Sequence, residues 1–198
     1  MDRIHIIGDS HCLLFKNSFV ESHWLGAATA MQLWKKHFLI RSIIPRVDND
    51  QFWFMLGEID CRIHIYDKST QYSISPFRFL ARKTVTSYLE YLEYFYKNEP
   101  IFVMAVPPQG PVEDIFGYSN YARQELRQQI AHEFNLELAV QAQSRGLGFV
   151  NLWEDSWKQV VNKKQNVWPN SCFKDDKAHL RDEIATKCLE KYVGRHNS

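Results

Sequence analysis

Four short apolar runs, each stopped by turn residues and separated by long helical patterns, constrain this chain more than any other feature. Arg3 to Ile7 runs into Gly8-Asp9-Ser10, and Phe52 to Leu56 (FWFML) stops at Gly57. Ile101 to Val106 stops at Pro107-Pro108, and Gly148 to Leu152 makes the fourth run. Runs of this length bounded by Gly and Pro fit strands buried on both faces. Helical patterns fall over Leu25 to Lys36, Pro76 to Asn98, Asn120 to Arg145 and Leu180 to Val193, the third closing at Arg145-Gly146 as helix C-termini do. Alternating strands and helices predict an α/β fold: a three-layer α/β/α sandwich around a mostly parallel, doubly wound, flavodoxin-like sheet. With 198 residues, the chain reads as one domain over 1–198.

The second helical pattern carries Tyr88, Leu89, Tyr91, Leu92, Phe95 and Tyr96 at helical spacing, which predicts a core face rather than a ligand box. Apolar residues are 45% of the chain, enough to bury a core and offset the entropy of ordering it. Lys and Arg number 24 against 23 Asp and Glu, so no net field favours a nucleic-acid partner. No apolar run reaches the length of a membrane span, and the opening residues read into a strand rather than a signal peptide, which makes the cytoplasm the expected address.

The cysteines Cys12, Cys61, Cys172 and Cys188 lack C-x-x-C spacing and are expected as thiols. His5, His11, His23, His37 and His64 form no pair at metal-ligand spacing, so they are assigned to packing or surface, and no metal or cofactor is expected.

Two segments carry chemistry. Gly8-Asp9-Ser10-His11 follows an apolar strand, a position from which a turn presents a hydroxyl at the carboxyl edge of a sheet with its own backbone N–H beside it. Asp175-Asp176-Lys177-Ala178-His179 precedes the last helix. A carboxylate three residues before a histidine can fold back onto one imidazole nitrogen and leave the other to accept a serine proton. Alone, each also reads as ordinary turn or helix-cap composition. Pro107 to Asn120 is a long loop after a strand, placed to rim a site.

Gly8-Asp9-Ser10, the isolated Gly26, Gly57-Glu58-Ile59-Asp60 and Asp176-x-x-His179 together resemble, in order and spacing, the sequence blocks of the SGNH (GDSL-like) hydrolases across nearly the whole chain. The resemblance implies Ser10 as nucleophile, His179 as base, Asp176 as its orienting carboxylate and Gly26 as an oxyanion donor. It departs at Ile59, where the family has an asparagine; a lost oxyanion donor costs on the order of 100 to 1,000-fold in turnover. The run from Gly57 through Arg62 to His64 resembles a subgroup associated with bacterial surface polysaccharides. Arg62 is then the candidate replacement donor, or else it pairs with Glu58 or Asp60 and braces the loop. Gly26, Arg62, Asp60 and Glu58 make up the expected oxyanion and substrate-binding set.

The resulting expectation is a serine esterase or acyltransferase working through an acyl-enzyme, without a cofactor, on a small-molecule or carbohydrate ester such as an O-acetyl sugar. Its rival is a catalytically weakened or inactive module of the same fold that binds a carbohydrate or a protein. A nucleotide binder lacks the Gly-rich phosphate loop it would need.

Overall fold

A computed structural model of the chain describes residues 3–44, 49–71, 77–96, 99–111, 122–154, 168–176 and 178–196. Strands β1 (Ile4–Gly8), β2 (Val20–Trp24), β3 (Gln51–Met55), β4 (Ile101–Met104) and β5 (Gly148–Val150) form one all-parallel sheet in the order β2-β1-β3-β4-β5. This is the doubly wound order, whose direction reverses between β1 and β3, where ligand crevices form at the carboxyl ends of the strands. Register sets Gly8 beside Met55 on one side and Trp24 on the other, so three chain exits converge at that edge.

Period-two alternation divides β3 between two cores: Phe52 and Phe54 face one, Trp53 and Met55 the other. Helices α3 (Phe77–Tyr96) and α4 (Gln124–Ser144) cover the first face, supplying Tyr88, Leu89, Leu92, Ile130, Phe134 and Leu138. The C-terminal helix α5 (Asp182–His196), with Trp153 and Trp168, covers the second through Ala185, Cys188 and Leu189. The expected α/β/α layering is therefore present, with core layers on both faces of the sheet. The aromatic stripe of α3 is a core face, as its spacing predicts, except that Phe95 lies at its margin against the His37 ring. Helix α4 ends at Arg145 with Gly146 at φ +70°, as expected of a helix C-terminus.

One expectation needs correction, and one strand carries no signal in the sequence. Leu25 to Lys36 is not a single helix: Gly26 takes φ +75°, a 3-10 turn follows at Ala30–Lys36, and only then does α1 (His37–Ile43) begin. The reason is a tertiary bond, since the Ala30 N–H donates to Asp60 Oδ2 at 2.7 Å and fixes where the turn starts. Strand β2 has no apolar run because it is an edge strand with partly exposed residues. After β3, the chain passes Gly57 at φ +110°, where a Cβ would come within 2.6 Å of the Phe134 ring, then forms a π-turn at Asp60–His64 continuing into α2 (Ile65–Gln71). Most of the loop expected from Pro107 to Asn120, and the helix ends expected at Pro76, Asn98 and Asn120, lie outside the described residues. Among the described residues no helix is long and apolar enough to cross a membrane.

Candidate active site

At the end of β1 the chain turns immediately. Asp9 is buried and its Oδ1 accepts from the His11 backbone N–H at 2.9 Å, capping the 3-10 turn Ser10–Leu14. That turn leaves Ser10 partly exposed above the carboxyl edge of the sheet.

At the other end of the chain, Phe173 and Leu180 form an isolated antiparallel bridge, and the Lys174 N–H donates to the His179 carbonyl at 2.8 Å. Asp176 organises the turn within this bridge: its Oδ1 accepts the backbone N–H of Ala178 at 2.9 Å and of His179 at 3.0 Å. Its Oδ2 lies 2.7 Å from His179 Nδ1. A carboxylate only accepts, so Nδ1 carries the proton and Nε2 presents a lone pair. That lone pair lies 2.7 Å from Ser10 Oγ, across 169 residues of sequence. The carboxylate three residues before the histidine thus folds back as its spacing predicts, with Asp176 rather than Asp175 as the partner. Hydrogen bonds from His179 and the Ala178 N–H outweigh burial and hold the Asp176 carboxyl below its ordinary range.

His11, which the sequence did not single out, belongs to this cluster. It is buried, and its ring lies 4.5 Å, centroid to centroid, from that of His179. Its Nδ1 is 3.1 Å from Asp9 Oδ1 and its Nε2 3.4 Å from the Ala178 carbonyl. Both partners are acceptors, so the doubly protonated, positively charged ring is the form that satisfies both. Burial opposes that charge, but the carboxylates of Glu58, 4.0 Å away, and Asp9 prevail and raise its pKa above the ordinary imidazole value. For His179 burial, reinforced by the positive His11, wins over Asp176 and lowers the pKa. The only available signal for His11 was its adjacency to Ser10; its partners come from three separate segments.

The third block behaves differently from its expected role. Glu58 is buried and forms an ion pair with Arg62 at 3.1 Å, so of the two alternatives for Arg62 the bracing one is what the structure contains. The Arg62 Nε has no hydrogen-bond partner among the described residues. Asp60 is fully buried and holds the Ala30 N–H, and burial pushes its pKa up to about 7. Glu58 stands beside His11 and Arg62, and Asp60 holds the turn after Gly26. Gly26 itself follows β2, two residues beyond the partner of Gly8, and Leu25 N–H donates to the Gly8 carbonyl at 2.8 Å. Gly26 and Ser10 therefore leave neighbouring strand ends on the same edge.

Ile59 and Arg62 line a cavity of about 360 Å³ with Ala27, Ala28 and Thr29 of the post-Gly26 turn. Ser10 and His179 are not among its walls. Cys12 and Cys61 are buried free thiols whose pKa values burial drives up, to about 12 for Cys12, which makes both poor nucleophiles beside Ser10.

No protein-family model and no curated protein matches the sequence. Solved structures do match. A GDSL-like lipase from Bacteroides thetaiotaomicron superposes with a TM-score of 0.62 at 14% identity, over 98% of this chain and 87% of the other. A member of the lipolytic G-D-S-L family from Veillonella parvula gives 0.57 at 10% identity, over 98% and 99%. A carbohydrate acetylesterase from Sinorhizobium meliloti gives 0.56 at 13% identity, over 100% and 99%. Likeness at such low identity speaks to architecture: this chain shares the fold of solved GDSL-like hydrolases.

Proposed function

We propose that this protein is a serine esterase that cleaves or transfers a small acyl group, with an O-acetylated carbohydrate as the favoured substrate class. The observation that carries the proposal is the chain Asp176 Oδ2, His179 Nδ1, His179 Nε2, Ser10 Oγ, with both contacts at 2.7 Å. Its polarity is fixed by the carboxylate, so the serine proton has an acceptor in place before substrate arrives. Ser10 Oγ attacks the ester carbonyl carbon and its proton passes to His179 Nε2, while Asp176 stabilises the imidazolium. The tetrahedral intermediate collapses as His179 protonates the departing alcohol, leaving the acyl group on Ser10. Water or another hydroxyl then adds, giving its proton to His179, and the acid or new ester leaves as His179 returns that proton to Ser10 Oγ. The backbone N–H groups of Ser10 and Gly26 are the proposed oxyanion donors. With Ile59 in place of a third donor and Arg62 engaged by Glu58, slow turnover is expected.

The carbohydrate preference is supported by the acetylesterase among the structural neighbours. Ile59 and the Arg62–Glu58 pair favour the rival, an inactive binding module on the same fold. Hydrolysis of p-nitrophenyl acetate separates the two. The esterase reading predicts turnover by the wild type that falls at least 1,000-fold in Ser10→Ala, a loss in the range of triad deletions. Equal rates for the two proteins would favour the binding module.

A further inference from the structure

We propose that His5, Glu21 and His23 form a binding site for a zinc-class divalent ion on the outer edge of the sheet, separate from Ser10. Strand pairing creates it. His5 of β1 lies opposite Glu21 of β2, and His23 is two residues further along the same face of β2. None of this is visible as a spacing motif, because the ligands are joined by register.

The state of His5 is set from behind. Its Nε2 lies 3.0 Å from Asp50 Oδ2, and Asp50 is itself fixed by the Arg3 backbone N–H at 2.9 Å. Because that carboxylate only accepts, His5 carries its proton on Nε2 and turns the lone pair of Nδ1 the other way. A carboxylate backing a histidine in this manner is the usual support of a metal-bound imidazole. The Phe52 ring stacks against His5 at 5.4 Å between centroids and holds its plane.

Two further donor atoms face the lone pair. His23 Nε2 is 3.0 Å from His5 Nδ1, and the Glu21 carboxylate spans both, 3.7 Å from His5 Nδ1 and 3.9 Å from His23 Nε2. Donors on a tetrahedral zinc with nitrogen bonds of about 2.0–2.1 Å sit about 3.3 Å apart, so these separations accommodate one ion with little movement. Two imidazoles, one carboxylate and no thiolate suit zinc and its neighbours rather than calcium or magnesium. His5 is buried, His23 only slightly exposed and Glu21 about half exposed, so the site is anchored on the protein side and open to solvent on the other. Without an ion, the His23 Nε2–H donates to His5 Nδ1. On binding, His23 moves its proton to Nδ1 and gives the Nε2 lone pair to the metal. Arg3, 3.5 Å from Glu21 and largely exposed, is free to swing away. An ion there ties β2, β1 and the start of β3 together.

Titration of the chelator-treated full-length chain with Co²⁺ at neutral pH tests the site. The expected result is one ion per chain with the intense visible bands of four-coordinate cobalt, displaced by Zn²⁺, which also raises the melting temperature. His23→Ala and Glu21→Gln, both on an edge strand, should weaken binding at least tenfold with unchanged circular dichroism. Asp50→Asn should weaken it by about 10 to 100-fold. Absence of cobalt bands in the wild type, or equal affinity in both ligand variants, would overturn the site.

Discussion

The His11 ring lies against the His179 ring, and that contact adds to burial in setting how the proposed base behaves with pH. His179 must be neutral to take the Ser10 proton, so activity rises with pH through its pKa. Burial and the adjacent His11 charge lower that pKa below the ordinary 6.5, which places the acid limb of kcat/KM below that value. His11→Asn removes the charge but keeps a donor, so His179 should become more basic and the limb should move upward. A pH profile of kcat/KM for the two proteins measures the shift; an unmoved limb would mean that His11 is only packing. Ser10, Asp176 and His179 were legible in the sequence because their signals are local: a strand end, and a carboxylate three residues before a histidine. The contacts of His11, Glu58 and Asp60 were not legible because they are set by burial and by partners far along the chain.

At the scale of elements, the carboxyl edge of the sheet is held together by buried carboxylates. Asp60 joins the exit of β3 to the turn after β2 through the Ala30 N–H. Burial raises its pKa from 3.8 to about 7. A carboxyl with a raised folded-state pKa contributes fully below its unfolded value, and that contribution is lost as pH rises towards the folded pKa. Asp60→Asn keeps an acceptor for Ala30 and cannot ionise. The variant should therefore gain stability relative to the wild type between pH 5 and 8, measured as the difference in urea midpoint, whereas a constant difference across that range would contradict a buried ionisation. The strands β1, β3, β4 and β5 were legible as apolar runs, and α3 and α4 from their periodicity. Strand β2 was missed because VESHW has no such run, and Leu25–Lys36 was read as a helix because propensity carries no record of the tertiary bond that starts the 3-10 turn.

For the molecule as a whole, the doubly wound order converts distance in sequence into proximity at one edge. The turn after β1 sets Ser10 at the carboxyl edge of the sheet, and the bridge before α5 returns His179 to it from the far end of the chain. The α/β/α layering followed from the alternation of strands and helices alone, since a sheet apolar on both faces requires cover on both. Chemistry did not follow from layering, because many functions share such sheets, and it rests instead on the polarity of the Asp176–His179–Ser10 chain. The most direct test of that polarity requires no knowledge of substrate: treatment with a fluorophosphonate probe followed by peptide mass spectrometry. The account predicts one covalent adduct, on Ser10, absent from Ser10→Ala and strongly reduced in His179→Ala; an unlabelled wild type, or a label that survives Ser10→Ala, would contradict it.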